Sequence, residues 1–385
     1  MCIRDRLGTA SIILITQFKG IKDEKNVNKI YCLSFYFNLI VGIIISFILV
    51  FGAKTIFNLM GVEERYIDKA VIYMQINGCF SFVIALTTVF SSFLRSNKLM
   101  IQSTIVTGIM NIMNVGGNAL ALFVFNSGIQ GVAISSVISR IVGLIVIVIM
   151  YIHYIHSSLS IKNIFPFPGK LFATLLKIGL PSAGENLSYN LSQLVIIMIL
   201  NYHFILSQSI DVNIRGYIAN FTSIVYMFSN AIAQSAQVII GPKIAKNEID
   251  DTFHIVKDTV KMSGIITVLC SLIFIAISYP LLNSLLNIKD PELKSQAMNI
   301  VLIVCAIDIL LEFGRSGNIP YVRCLQTVGD IYTPVFFAII CCWSAAVLGS
   351  YILSAFCNLG VIGVWISCAL DENIRNIIFT FRWNS

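Results

Sequence analysis

Apolar residues run along this chain in long blocks, separated by short gaps rich in polar residues, glycine or proline. The blocks match the roughly 20 residues that a helix needs to cross a bilayer. Their positions predict spanning helices at 30–52, 66–94, 99–125, 130–154, 173–206, 214–241, 260–287, 295–318, 320–355 and 360–382. That makes ten full helices, preceded by a stub at 7–18 that is too short to cross. The most polar gaps, around 19–29 and 242–258, hold too few apolar residues for a core. The expected fold class is therefore an all-α polytopic membrane protein.

Composition narrows the function. The chain is 57% hydrophobic and 12% charged, whereas soluble domains carry roughly 25% charged residues. A soluble globular domain, a disordered chain, a nucleic-acid binder and a disulfide-stapled secreted domain are all excluded, and the partner expected first is the lipid bilayer. The 10 cysteines form no C-x-x-C pair and mostly sit inside apolar runs, where a thiol packs as a small hydrophobe. His153 and His156 have no third ligand nearby, so no metal centre is expected. No G-x-x-x-x-G-K-[ST] phosphate loop occurs. Without ATP chemistry or a cofactor, uphill transport has to draw on an ion gradient.

The formal charge of +7 reads as topology. On one side, alternate gaps hold fourteen basic residues: Lys19, Lys22, Lys25, Lys29, Arg95, Lys98, Lys162, Lys170, Lys177, Lys243, Lys246, Lys257, Lys261 and Arg382. The other side holds six: Lys54, Arg65, Lys69, Arg215, Lys289 and Lys294. Basic residues favour the cytoplasmic side, so the expectation is a multi-pass protein of the cytoplasmic (inner) membrane with its C-terminus in the cytoplasm.

Offsetting the chain against itself exposes a repeat. GIQGVAIS at 128–135 returns as GVIGVWIS at 360–367, an offset of 232. LMGVEERYIDKA at 59–70 is echoed by LLNIKDPELKSQA at 285–297, and QFKGIKDEKN at 17–26 by PKIAKNEIDD at 242–251, offsets of 226–227 and 225. Close helix packing explains recurrent glycines, but not three matches in order. Two homologous bundles of about six helices are expected, at 1–160 and 161–385, related as a parallel repeat. The counterpart of Leu171 would fall about 55 residues before Met1, so the expectation is that the first bundle lacks its first helix and part of its second. MCIRDR reads as foreign sequence or a gene-model artefact.

Ionisable groups at bilayer depth cost roughly 2.5 to 3.5 kcal/mol each on insertion scales and mark function by default. In AIDILLEFGRSGN at 306–318, Asp308, Glu312 and Arg315 share a helical face at i, i+4 and i+7, and Asn318 extends it. Such a face lines a cavity or an interface and can exchange a cation or proton; the other reading is a Glu312–Arg315 pair that locks the helix. Glu185 in GLPSAGENLSYNLSQ shares a face with Tyr189 and Ser192, where a capping or exposed role competes with a functional one. Asp371, Glu372 and Arg375 form a third set, with a structural ion pair as the favoured reading. Arg140 stands 232 before Glu372, so these repeat-equivalent positions carry opposite charges.

These residues carry a family resemblance. The QFKGIKDEKN turn, GLPSAGE opening the second half, LRSNK at 94–98 against LQTVGD at 325–330, and G-x-x-G-V-x-I-S closing each half resemble the multidrug and toxic compound extrusion (MATE) family, from Leu7 onward. The D-I-L-L-E-F-G-R-x-x-N string and the A-L-D-E-N-I-R ending resemble a bacterial branch of it. The resemblance implies two pseudo-symmetric six-helix bundles around a V-shaped cavity. It also implies a monomer that exports drugs and organic cations by antiport with sodium ions or protons. With the buried-charge reading above, the candidates for cation coupling or substrate binding are Glu185, Tyr189, Asp308, Glu312, Arg315 and Asn318, with Asp308 and Glu312 as candidate Na+ ligands, and the candidates for gating or structural pairs are Arg140, Asp371, Glu372 and Arg375. The chain also departs from the family. The first-helix aspartate is absent, Tyr189 stands where sodium-coupled members place a glutamate, and Arg315 stands near their helix-ten aspartate. Lacking that opening helix, the chain is expected to be impaired in transport. A lipid-linked oligosaccharide flippase of the same superfamily is the alternative, to be told apart by an arginine-rich cavity. An intramembrane enzyme would need a nucleophile and base or a metal cluster, and four scattered histidines do not supply one.

Overall fold

A backbone in hydrocarbon must satisfy its own hydrogen bonds, which leaves helices as the economical solution for such blocks. The computed structural model describes residues 2–59, 64–155, 157, 159–160, 164–286, 288 and 290–385, without the side chains of 2–7, 59, 64–66, 208 and 209. The expectations placed on His156, Lys162, Lys289 and the side chains of Arg65 and MCIRDR lie outside what is described, as do residues 60–63 of the 59–70 repeat segment. Among the described residues there is no strand.

The first unit, Met1–Leu180, holds α1 (Cys2–Gly20), α2 (Glu24–Leu59), α3 (Glu64–Cys79), α4 (Ser81–Ser96), α5 (Met100–Ala119), α6 (Gly128–Ile155) and the start of α7 (Gly169–Tyr202). The block expected as one helix at 66–94 is two, bent by 44° beside Phe80. Its core is aromatic: Tyr31 meets Phe93 edge-on at 4.7 Å, and Tyr151 meets Phe90 at 5.1 Å. Asn97 Nδ2 donates to Tyr31 Oη at 2.7 Å, so the buried phenol is satisfied. The linker after α6 docks back on α2, where Tyr36 Oη donates to the Leu159 carbonyl at 3.1 Å.

The second unit, Pro181–Ser385, holds the rest of α7, then α8 (Gln208–Ala245), α9 (Ile249–Leu285), α10 (Pro291–Val328), α11 (Tyr332–Cys341), the single turn α12 (Gly349–Tyr351) between π-helical stretches, and α13 (Gly360–Asn384). Its centre is α10, packed against α8, α9 and α13. The sequence pattern predicts a break between 318 and 320, but α10 runs unbroken through Pro320. Helices buried among membrane neighbours tolerate the missing N–H. The helix begins with Asp290 accepting from Glu292 N and Pro291 in the first turn, and it ends at Gly329, whose φ of 99° is left-handed.

Among the described residues, seven helices are long and apolar enough to cross a bilayer, eight when the bent α3–α4 pair counts as one span. The expected span at α13 falls short of that measure because Asp371, Glu372 and Arg375 occupy its middle, and all three are buried. The outward faces are apolar: Phe47, Phe51, Ile112, Phe123, Ile265 and Phe336 are exposed, while serines 229, 263, 271 and 278 are buried. Outward apolar surface on this scale suits lipid rather than water.

The repeat is written into the backbone. Left-handed residues recur at Lys22 and Asn247, at Asn126 and Asn358, and at Gly128 and Gly360, with the same offsets of 225 and 232 as the sequence matches. A π-helical turn at Leu120–Val124 returns at Ile352–Phe356. The helix ends close alike: Asp23 N bonds Phe18 O at 2.9 Å and Glu248 N bonds Lys243 O at 3.0 Å, while Leu99 N bonds Leu94 O and Asp330 N bonds Leu325 O, both at 3.0 Å. This six-to-one bond satisfies a carbonyl that would otherwise be left over where the helix stops.

Outside the spans, Arg382 Nε donates to Asp330 Oδ2 at 2.7 Å, tying the end of α13 to the α10–α11 turn. Partial burial works to raise the Asp330 carboxyl, but hydrogen bonds from Arg382 and Thr333 outweigh it and hold the group below the usual carboxylate value. A depressed pKa contributes stability above the unfolded value near 3.8 and loses it as acid protonates the folded group. Arg382→Ala is therefore expected to cost less than about 1 kcal/mol at neutral pH, because the arginine is half exposed. Thermal unfolding should show that small difference at pH 7, and none once the pH falls below the carboxylate range.

A buried cluster of carboxylates and guanidiniums

The cluster owes its existence to two glycines. A Cβ on Gly314 would lie 2.8 Å from Asn373 N and 2.9 Å from the Glu372 carbonyl carbon, and one on Gly317 would collide with the Asn376 amide. Their bare backbones let α10 and α13 close together, as small residues do between membrane helices. Gly314→Ala is expected to cost about 1 to 3 kcal/mol by overpacking. Gly216→Ala, where nothing lies within 4 Å, should be neutral or mildly stabilising. Thermal unfolding of the two variants in detergent checks the contrast.

At this contact the two sets of charged residues that look separate in the sequence become one. Arg315 Nη1 donates to Glu312 Oε1 at 2.8 Å and Arg315 Nε to Glu372 Oε1 at 3.0 Å. Its Nη2 reaches Tyr189 Oη on α7 at 3.3 Å, and its Cζ lies 5.8 Å from the centre of the Tyr226 ring on α8. Asn318 Nδ2 donates to Glu372 Oε2 at 2.6 Å. Arg375 pairs with Asp371 and, at 3.1 Å, with Glu372. One turn before Glu312, Asp308 Oδ1 accepts from Thr222 Oγ1 at 3.0 Å and from Trp365 Nε1 at 2.9 Å.

Two properties of this arrangement matter chemically. Asp308, Glu312, Asp371 and Glu372 are set against Arg315 and Arg375, so the formal balance is two negative charges in excess, with all four carboxylates buried. Some acceptors also remain open: Glu312 Oε2, Asn318 Oδ1 and Asp371 Oδ1 are enclosed without a hydrogen-bond partner. Buried unpaired acceptors and surplus carboxylates are costly, and a cation or protons relieve both.

The other candidates lie apart. Glu185, one turn before Tyr189, has an enclosed Oε2 with no partner. Arg140 belongs to the first unit and donates to Asn77 Oδ1 at 3.0 Å, while its repeat counterpart Glu372 is held by Arg315, Asn318 and Arg375. Sequence reasoning missed Thr222, Tyr226 and Trp365. Only Trp365 left a trace, as the one bulky mismatch in the GVIGVWIS repeat, where the first copy has Ala133.

Known proteins share this architecture. The MatE family model matches residues 6–120 and 181–352. The uncharacterized transporter YisQ of Bacillus subtilis is 30% identical over 383 residues, spanning 98% of this chain and 82% of YisQ. The probable multidrug resistance protein YoeA of the same organism is 23% identical over 368 residues, 94% of this chain and 77% of YoeA. Among solved structures, an outward-facing multidrug resistance MATE family transporter of the MOP superfamily superposes with a TM-score of 0.84 at 16% identity, covering all of this chain and 84% of that one. Matched by the family model over more than half its length, the chain belongs to the MatE family, whose members are membrane transporters and not enzymes.

Proposed function

We propose that this chain is a secondary active transporter that exports organic cations across the cytoplasmic membrane in exchange for Na+ or H+. The observation that carries the reading is the buried surplus of four carboxylates over two guanidiniums on α10 and α13. In a medium of low dielectric such a surplus favours uptake of positive charge, and Glu312, with one oxygen unpartnered, is the group placed to take it. Asp308 and Asn318 supply neighbouring acceptors, Tyr189 and Arg315 frame the site, and 1–160 and 161–385 serve as the two repeated bundles of the carrier. The relation to YoeA supports a drug-like substrate, and the basic residues counted in the gaps support a cytoplasmic C-terminus.

A lipid-linked oligosaccharide flippase calls for a basic lining to meet pyrophosphate. Arg140 donates to Asn77 in the first unit and Arg323 to Asn230, and the sign of the α10–α13 cluster favours a cationic cargo. Ethidium accumulation in cells expressing the chain tests the reading. It should fall below that of vector controls while the ion gradients are intact. Equal accumulation, with the sodium and proton gradients each present or collapsed, would reject export of organic cations.

A further inference from the structure

We infer that the Arg315 guanidinium is a resident stand-in for the transported cation, closing the acidic cluster until a planar, delocalised organic cation displaces it. The inference rests on the reading of this cluster as a cation site.

The surroundings of Arg315 are those that recognise a free planar cation. Two carboxylates accept from separate edges of the guanidinium, Glu312 at 2.8 Å and Glu372 at 3.0 Å. A phenol oxygen from Tyr189 accepts at a third, and the Tyr226 ring lies near the charge. Carboxylates at separate edges combined with an aromatic neighbour suit a planar delocalised cation better than a compact ammonium. Among the described residues no three His, Cys, Asp or Glu side chains converge as a metal site. Glu312, Asp371 and Glu372 are directed at guanidiniums instead.

Arg315 also differs from Arg375. Among the described residues Arg375 pairs with Asp371 and Glu372, four and three residues back on its own helix, which is the geometry of a local support. Arg315 joins α10 to α13, α7 and α8, and its side chain is 13% exposed where that of Glu312 is 0%. It is the more accessible partner, and its departure would release contacts to three other helices at once. The unpartnered Glu312 Oε2 shows acceptor capacity beyond what Arg315 uses, so an incoming cation has a foothold before the arginine leaves. Displacement then couples cargo binding to helix packing, because the arginine cannot hold α7 and α8 and yield its place together.

A structural pair and a displaceable stand-in predict opposite results when the arginine is removed. Ethidium binding to the detergent-purified chain, read by fluorescence anisotropy, should be at least tenfold tighter in Arg315→Ala than in the wild type. Methylguanidinium should compete with ethidium in the variant, and about tenfold more of it should be needed for the same competition in the wild type. A folded Arg315→Ala that binds ethidium no tighter than the wild type overturns the inference. Should that variant fail to fold, Arg315→Lys keeps the charge and loses the fork, and is expected to bind ethidium between twofold and tenfold tighter; affinity equal to or below the wild type overturns the inference equally. Efflux by the same chain separates the two readings. Tighter binding in the variant of a chain that exports no ethidium upholds the stand-in and removes only the export reading. An exporting chain whose variant binds no tighter removes only the stand-in.

Discussion

Replacing Glu312 by glutamine is expected to lower energised ethidium efflux at least tenfold while the chain stays folded. Glu312 is fully buried, accepts Arg315 through one oxygen and leaves the other unpartnered. The amide keeps an oxygen for Arg315 but cannot carry the charge that takes up a cation. The cluster survives the change because three carboxylates still face two guanidiniums, so no buried arginine is left without a counter-charge. Efflux and thermal unfolding measured on the same preparation check both halves. Unchanged efflux in a folded variant would remove Glu312 from transport.

Removing an arginine should act in the opposite sense. Arg375→Ala leaves Asp371 and Glu372 buried with one guanidinium fewer, four carboxylates against Arg315 alone. Breaking a buried pair from one side typically costs about 3 to 5 kcal/mol, and at roughly 1.2 °C per kcal/mol for a chain of 385 residues the melting temperature should drop by roughly 4 to 6 °C. Adding Asp371→Asn should recover part of the loss, since it removes the charge that the arginine served. A double-mutant cycle measures that coupling. A single variant that melts with the wild type would show that the cluster is not sealed from water.

The fold was largely legible because bilayer physics acts on local sequence. Apolar block length marks spans, and turn chemistry marks their ends. The residues at Lys22 and Asn247, or Gly128 and Gly360, are left-handed in both copies because the same helix closure is built twice. The break between 318 and 320 was misleading for a physical reason: Pro320 ends a helix in water but is buried inside one here, in a helix packed against α8, α9 and α13. The α3–α4 bend gave no sign in the apolar run that contains it.

The candidate site was legible in its residues but not in its assembly. Spacing placed Asp308, Glu312 and Arg315 on one face, and Asp371 and Arg375 one turn apart. Nothing local shows that Gly314 and Gly317 bring those faces into a single network, because that is decided where α10 meets α13. The polar supports Thr222 and Tyr226 stand among many serines, threonines and tyrosines, and only their contacts with Asp308 and Arg315 set them apart.

The most direct measurement is ethidium flux in proteoliposomes containing the chain, under an imposed sodium gradient and, separately, a pH gradient. One of the two gradients should drive ethidium uphill in the wild type, and neither should do so in Glu312→Gln. Movement down its own gradient alone, at a rate indifferent to both ions and to Glu312, would contradict the account.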